Sequence, residues 1–170
     1  YATYEFDLRK DWETCRDIIW GRGEPLVTDV MHGVDETAFL TAITLYTTYH
    51  ASSMTTCKKK DVLALEFEDY KKNRDAVLDG YKMARKFLFS QYVFRMRDLP
   101  YTTQLIPLSA ICAEIGRTVF NQPQTQNILS QWFWCGIMGE MYGGANETRY
   151  ANDMEAVSYT HLTLPTNSLV

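Results

Sequence analysis

Residues 132–153 read Trp-Phe-Trp-Cys-Gly-Ile-Met-Gly-Glu-Met-Tyr-Gly-Gly-Ala-Asn-Glu-Thr-Arg-Tyr-Ala-Asn-Asp, and their pattern decides the fold class. The first half is apolar on almost every face, with Glu140 its one charge, which predicts a helix at the centre of a bundle. Gly143 and Gly144 then stop that helix, and Asn146 opens another, so a glycine C-cap is followed by an asparagine N-cap. Two helices joined by a tight polar turn leave no room for a strand. This segment therefore predicts an all-α architecture.

The rest of the chain agrees with that reading. Asp7 is placed as an N-cap before Leu8, Trp12, Cys15 and Ile19, which repeat at helical spacing up to Gly21 or Gly23. Asp35 precedes a second stripe of Phe39, Ala42, Ile43, Tyr46 and Tyr49. Residues 61–67 alternate weakly and read as an extended entry. A long helix follows, with Tyr70, Val77, Tyr81, Ala84 and Leu88 on its inner face. Pro100 pushes Leu99 out of helical geometry. Pro107 suits the first turn of a helix that begins near Leu105, buries Leu108, Ile111, Cys112 and Ile115, and ends at Gly116. Asn121 and Pro123 open the helix that carries Trp132. The expectation is an irregular bundle of about six helices over residues 1–156.

Residues 157–166, Val-Ser-Tyr-Thr-His-Leu-Thr-Leu-Pro-Thr, back-translate in one frame to the mosaic-end adapter of transposase-based sequencing libraries. Residues 157–170 are therefore expected to lie outside the fold, as an expression scar would. With no Met at position 1 either, the sequence reads as a piece of a larger protein.

Composition sets further bounds. A hydrophobic content of 46%, with aromatic residues making up 14% of the chain, is enough for a core and too apolar for disorder. The apolar run near Trp132 is interrupted by Glu140, too soon to span a bilayer, so no membrane partner is expected. Cys15, Cys57, Cys112 and Cys135 are scattered, with no CxxC pair. They read as reduced buried thiols in a cytoplasmic protein, and no metal site is expected. The net charge is −4, but residues 57–98 hold eleven Lys or Arg against seven Asp or Glu. Lys71, Lys72, Asp75, Asp79, Lys82 and Lys86 recur at i, i+3 and i+4 spacing, the pattern of a solvated helix face.

Several residues invite a chemical reading. Gly136, Gly139 and Gly143 form a strip without side chains, suited first to the close approach of a second helix and second to a ligand. A lone buried Glu140 would be costly, and Arg149 is its expected partner in a buried ion pair. Gly143, Gly144, Asn146, Glu147 and Arg149 also form a candidate anion or partner contact, although no GxxxxGK frame surrounds them. Lys58, Lys59 and Lys60, with Arg95 and Arg97, are weak candidates for DNA-backbone contact. Only His32 and His50 precede the adapter-like tail, and no Ser/His/Asp or Cys/His set can be assembled. No catalytic residue is expected in this chain.

Three segments carry a family resemblance: Cys57-Lys-Lys-Lys-Asp61 with Tyr70, Arg97-Asp-Leu-Pro-Tyr-Thr-Thr-Gln-Leu-Ile-Pro-Leu108, and Trp134 through Arg149. Together they resemble the GmrSD-type restriction endonuclease N-terminal domain family, domain of unknown function 262, across residues 6–154. The resemblance implies a helical region following a ParB-like core of the same protein. That upstream domain would carry an Asp-Gly-Gln-Gln-Arg motif, and with it the nucleotide triphosphate, divalent metal and DNA contacts of the parent protein. Neither this motif nor a His-Asn-His nuclease motif occurs here, so no catalytic role transfers. Two readings stay open: a non-catalytic part of a nucleotide-dependent DNA restriction or defence endonuclease, and a stand-alone helical interaction module without nuclease activity.

Overall fold

The structure is a computed structural model, and it describes residues 6–21, 29–51, 54–144 and 146–162. Among these residues it holds seven α-helices and no strand: α1 (Leu8–Trp20), α2 (Glu36–His50), α3 (Lys59–Leu63), α4 (Phe67–Ser90), α5 (Leu105–Phe120), α6 (Pro123–Met138) and α7 (Glu147–Leu162). Short 3-10 turns cover Val30–Gly33, Met96–Asp98 and Thr102–Gln104. The all-α class is as the sequence predicts. The additional helix is α3, where an extended segment was expected. Asp61 N and Val62 N both donate to Lys58 O, at 2.8 and 3.0 Å, closing a helical turn across the weak alternation.

The caps follow the sequence. The Asp7 carboxylate accepts from Arg9 N at 3.0 Å and Lys10 N at 3.3 Å, and Asp35 accepts from Ala38 N at 2.7 Å. Gly21 ends α1 at φ 83°. Leu99 is extended, as its proline neighbour requires.

α5 is the central helix. Its residues from Leu105 to Cys112 are all buried, and it packs against α4, α2 and α7. Nothing else in the fold is so fully enclosed. α4 crosses α5 at Gly80, where an added Cβ would collide with the Ser109 carbonyl oxygen and sit 3.0 Å from the Ala113 Cβ. All five residues expected on the inner face of α4 are buried. α1 is tied to α4 by Asp11, whose carboxylate accepts from Tyr70 Oη at 2.6 Å and from Arg74 Nη1 at 2.5 Å.

Gly116 ends the first helical run of α5 as expected: at φ 70° and ψ 167° it is non-helical, and a second, short run continues past this kink to Phe120. One expectation, for α6, is corrected. α6, expected at the centre, lies at the edge. Its inner face is only Thr125, Leu129, Phe133 and Gly136, while Met138 is 81% exposed and Cys135 is exposed too. An apolar composition on all sides fills one stripe of contacts and leaves the opposite stripe in water.

Both α4 and α6 finish in Schellman motifs whose left-handed residue is not glycine. Tyr92 has φ 62°, with Val93 N donating to Leu88 O at 2.9 Å. Glu140 has φ 50°, with Met141 N donating to Gly136 O at 3.0 Å. The boundary expected after Ala156 does not interrupt α7. Val157 and Ser158 are buried, continuing the inner face of Tyr150 and Met154 at helical spacing.

Gly80→Ala should destabilise the chain by about 1–3 kcal/mol, because the methyl group meets backbone and overpacks the α4–α5 crossing. Urea unfolding monitored by circular dichroism checks this. An unchanged midpoint would mean that the crossing yields freely.

Candidate functional site

The three motif segments, far apart in sequence, converge on one cleft of about 500 Å³ between α2, α3, α5 and α7. Cys57 and Lys59 come from the first segment, Ile106 from the second, and Gly144, Asn146 and Glu147 from the third. Thr37, Thr41, Val62 and Tyr150 complete the wall.

Each wall is fixed locally. Thr48 Oγ1 donates to Thr56 O at 2.6 Å and accepts from Thr56 N at 3.0 Å, holding the segment before Cys57 against α2. Cys57 Sγ donates to the Glu147 carbonyl at 3.6 Å, joining the first motif to the third across the cleft. Gln104, 1% exposed, donates from Nε2 to Phe133 O at 3.1 Å, joining the second motif to α6. Gly136 leaves space for this amide and for the Tyr142 ring, which an added Cβ would meet at 3.0 and 2.8 Å. The glycine strip thus receives two side chains and no second helix. Gly139 caps α6, an added Cβ at Gly143 would lie 3.6 Å from the Glu140 carbonyl oxygen, and Gly144 faces open space.

Glu140 and Arg149 are not a buried pair. The left-handed turn at Glu140 carries its side chain into solvent. Arg149 Nε instead lies 3.1 Å from Asp153 Oδ1, one helical turn along α7. Asp153, 5% exposed, also accepts from Tyr142 Oη through its other oxygen. Tyr142 stacks on Tyr150 with ring centres 6.3 Å apart, and burial, then the Asp153 hydrogen bond, holds its phenol protonated far into the alkaline range. The i, i+4 spacing of Arg149 and Asp153 was the signal in the sequence for this pair.

The candidate anion contact is split by the same arrangement. Gly144, Asn146 and Glu147 face the cleft, Arg149 is held by Asp153, and Asn146 Nδ2 donates to Tyr142 O at 3.1 Å. Among the described residues, Lys59 and Glu147 are the only charged ones lining the cleft. One cation opposed by one carboxylate is a poor anion site and a good match for a zwitterionic or peptide-like surface.

Lys58, Lys59 and Lys60 are all exposed, as are Arg95 and Arg97 in the turn after α4. Only Lys59 of these five faces the cleft. Arg97 Nε lies 3.9 Å from Asp98. Lys82 meets Asp79 at 3.5 Å, as the mixed-sign helix face predicts.

The cleft's thiol is not an activated nucleophile. Burial, followed by the fields of Glu147 and Asp61, pushes the Cys57 thiol from 9.0 up to about 12, so it stays protonated and inert. No cluster of His, Cys, Asp or Glu suited to a metal occurs among the described residues, and no described helix is long and apolar enough to cross a membrane. Cys15, Cys57 and Cys112 are buried as expected, whereas Cys135 is exposed. Comparison with protein-family models, with curated proteins and with solved structures finds no match in any of the three.

Asp153→Ala should cost about 1.5–3 kcal/mol by stranding the Tyr142 hydroxyl and freeing Arg149, while Glu140→Gln should leave thermal stability unchanged. Equal effects of the two substitutions would reject this pairing. A thiol reagent should label Cys135 rapidly in the folded chain, and the other three cysteines only after unfolding. Because burial makes Cys57 a weaker acid in the fold, its contribution to stability is complete below pH 9.0 and is lost as pH rises toward about 12. Cys57→Ala should flatten that alkaline decline in an unfolding series.

Proposed function

We propose that this chain is the non-catalytic helical region of a protein resembling the nucleotide-dependent DNA restriction and defence endonucleases. In this reading its cleft seats a segment of the upstream ParB-like domain. What supports the reading is the convergence of the three resemblance-bearing segments on one cleft. Cys57, Ile106 and Glu147 are brought together from three separate parts of the chain. A cleft with one lysine, one glutamate and apolar walls suits a peptide segment better than a nucleotide. Nucleotide triphosphate, divalent metal and the chemistry on DNA then belong to the partner domain.

The stand-alone interaction module without nuclease activity uses the same cleft for a separate protein. Recovery of the upstream reading frame separates the two, since an Asp-Gly-Gln-Gln-Arg motif there favours the restriction reading. With that domain co-expressed, Lys59→Glu and Glu147→Lys should each weaken its association about tenfold, the order expected when like charges oppose at an interface. Titration calorimetry measures this, and affinities untouched by either reversal would remove the cleft as the docking site. The chain alone should hydrolyse neither nucleotide nor DNA.

A further inference from the structure

The opposite use of charge appears on a second surface, which shares no lining residue with the cleft above. A cavity of about 320 Å³ lies between the end of α1 and the C-terminal part of α4. Its charged lining is wholly basic, Lys82, Arg85 and Lys86, and its apolar lining is Ile18, Ile19 and Phe89. The cations are held in place by neighbours. Arg85 bonds Asp29 Oδ2 from Nε at 3.0 Å and from Nη2 at 2.7 Å, Lys82 Nζ lies 3.5 Å from Asp79, and Lys86 Nζ donates to Asn121 at 2.9 Å.

Aromatic rings continue from this cavity along the surface. The Arg85 guanidinium sits 4.6 Å over the Phe89 ring, Phe89 meets Phe94 at 5.2 Å, and Phe94 meets Tyr92 at 6.3 Å. Trp134 joins the same end of α4 through its indole N–H, which donates to Gln91 at 2.9 Å. Tyr92 is 81% exposed, Phe94 44% and Trp134 37%. Exposed rings in a row are costly to keep in water and need a reason.

The backbone adds an independent observation. Tyr92 occupies the left-handed position that favours glycine, and its side chain is turned outward. The strand-like pairing of Asp29 with Arg95, and the bond from Val30 N to Phe94 O at 3.0 Å, hold the following segment in place. Arg95 and Arg97 come next in the chain after Phe94, both exposed. All of these cations lie within residues 57–98, the basic part of a chain of net charge −4.

We infer that this face binds single-stranded nucleic acid. The phosphates run along Lys82, Arg85, Lys86, Arg95 and Arg97, and unpaired bases stack on Phe94, Tyr92 and Trp134. Cations set beside exposed rings are the two elements such binding needs, and a duplex, whose bases are already stacked, can use only the first of them. Asp29, Asp79 and Asp98 border the site. Each is engaged by an arginine or lysine, so these pairs position Lys82, Arg85 and Arg97 while offsetting part of their charge. This inference is independent of the restriction reading, and failure of either leaves the other standing.

Fluorescence anisotropy of the full chain with labelled oligothymidylate and oligouridylate of about a dozen nucleotides tests it, within the usual site size. Both strands should bind at low salt and quench Trp134, and a duplex of equal length should bind about tenfold more weakly. A preference between the two strands would identify DNA or RNA as the natural source. Tyr92→Gly should weaken binding about tenfold, as loss of one stacked base does, while raising the melting midpoint through relief of the left-handed backbone. Lys82→Ala and Lys86→Ala should each lower the salt slope by about 0.7.

No binding at about 10⁻⁴ M protein, the weak end of non-specific affinity, would overturn the proposal. So would equal affinity for the duplex, or indifference to Tyr92→Gly. Sedimentation showing a dimer that Tyr92→Gly dissolves, with no oligonucleotide effect, would assign the face to a second copy of the chain instead.

Discussion

The approach of α4 to α5 at Gly80 governs the remaining architecture. With hydrogen in place of a side chain, the α4 backbone reaches the Ser109 carbonyl, and α5 can be covered on that side by a helix lying very close. α2 and α7 then cover its other sides, so that eight successive residues of α5 are buried. Ser109 fits this dry position because its hydroxyl donates back to Ile106 O at 2.9 Å. A helix enclosed on all sides sets the distances among its neighbours. It thereby fixes where the loop before Cys57 and the turn before Glu147 meet.

Most of the secondary structure was legible from residue types alone. Asp7 and Asp35 cap because their carboxylates reach free backbone N–H groups two or three residues on. Pro107 and Pro123 start helices because a first turn has no use for their missing donor. The stripes on α1 and α4 were legible for the same reason: period and burial coincide in an amphipathic helix, whereas α2 buries Thr41, Ala42, Ile43, Thr44 and Leu45 in succession and leaves Tyr46 and Tyr49 half-buried. Where a helix is apolar all round, period carries no orientation. That is why the Trp132 helix looked central while α5, with its unbroken apolar run, was the enclosed one.

The site was less legible, because its partners are set by tertiary approach. Glu140 and Arg149 looked paired while α6 was taken to be straight and buried. A left-handed turn at Glu140 and a carboxylate one turn beyond Arg149 rearrange the pairing entirely. Lys59 and Glu147 were each singled out, but nothing in their spacing announces that a thiol at position 57 joins the two loops. Thr37, Thr41 and Val62 gave no signal at all, being ordinary residues until the bundle sets them beside a cleft. The two charged surfaces also show how little a net charge says. The cleft balances one cation against one carboxylate, and the face along α4 gathers cations on a chain that is acidic as a whole.

The kink at Gly116 divides α5 into parts of unequal security. Upstream, residues 105–112 are all buried, so their amide hydrogens should be released only by larger openings. Downstream, Arg117 and Thr118 are exposed, and only Phe120 is driven into the core, with its carbonyl held by the Gln126 amide at 2.5 Å. The hydrogen-bond ladder is interrupted between these parts, so the short terminal turn can fray together with the start of α6 while the upstream turns stay closed. The molecule thus contains a cooperative boundary where two helical runs meet at one glycine.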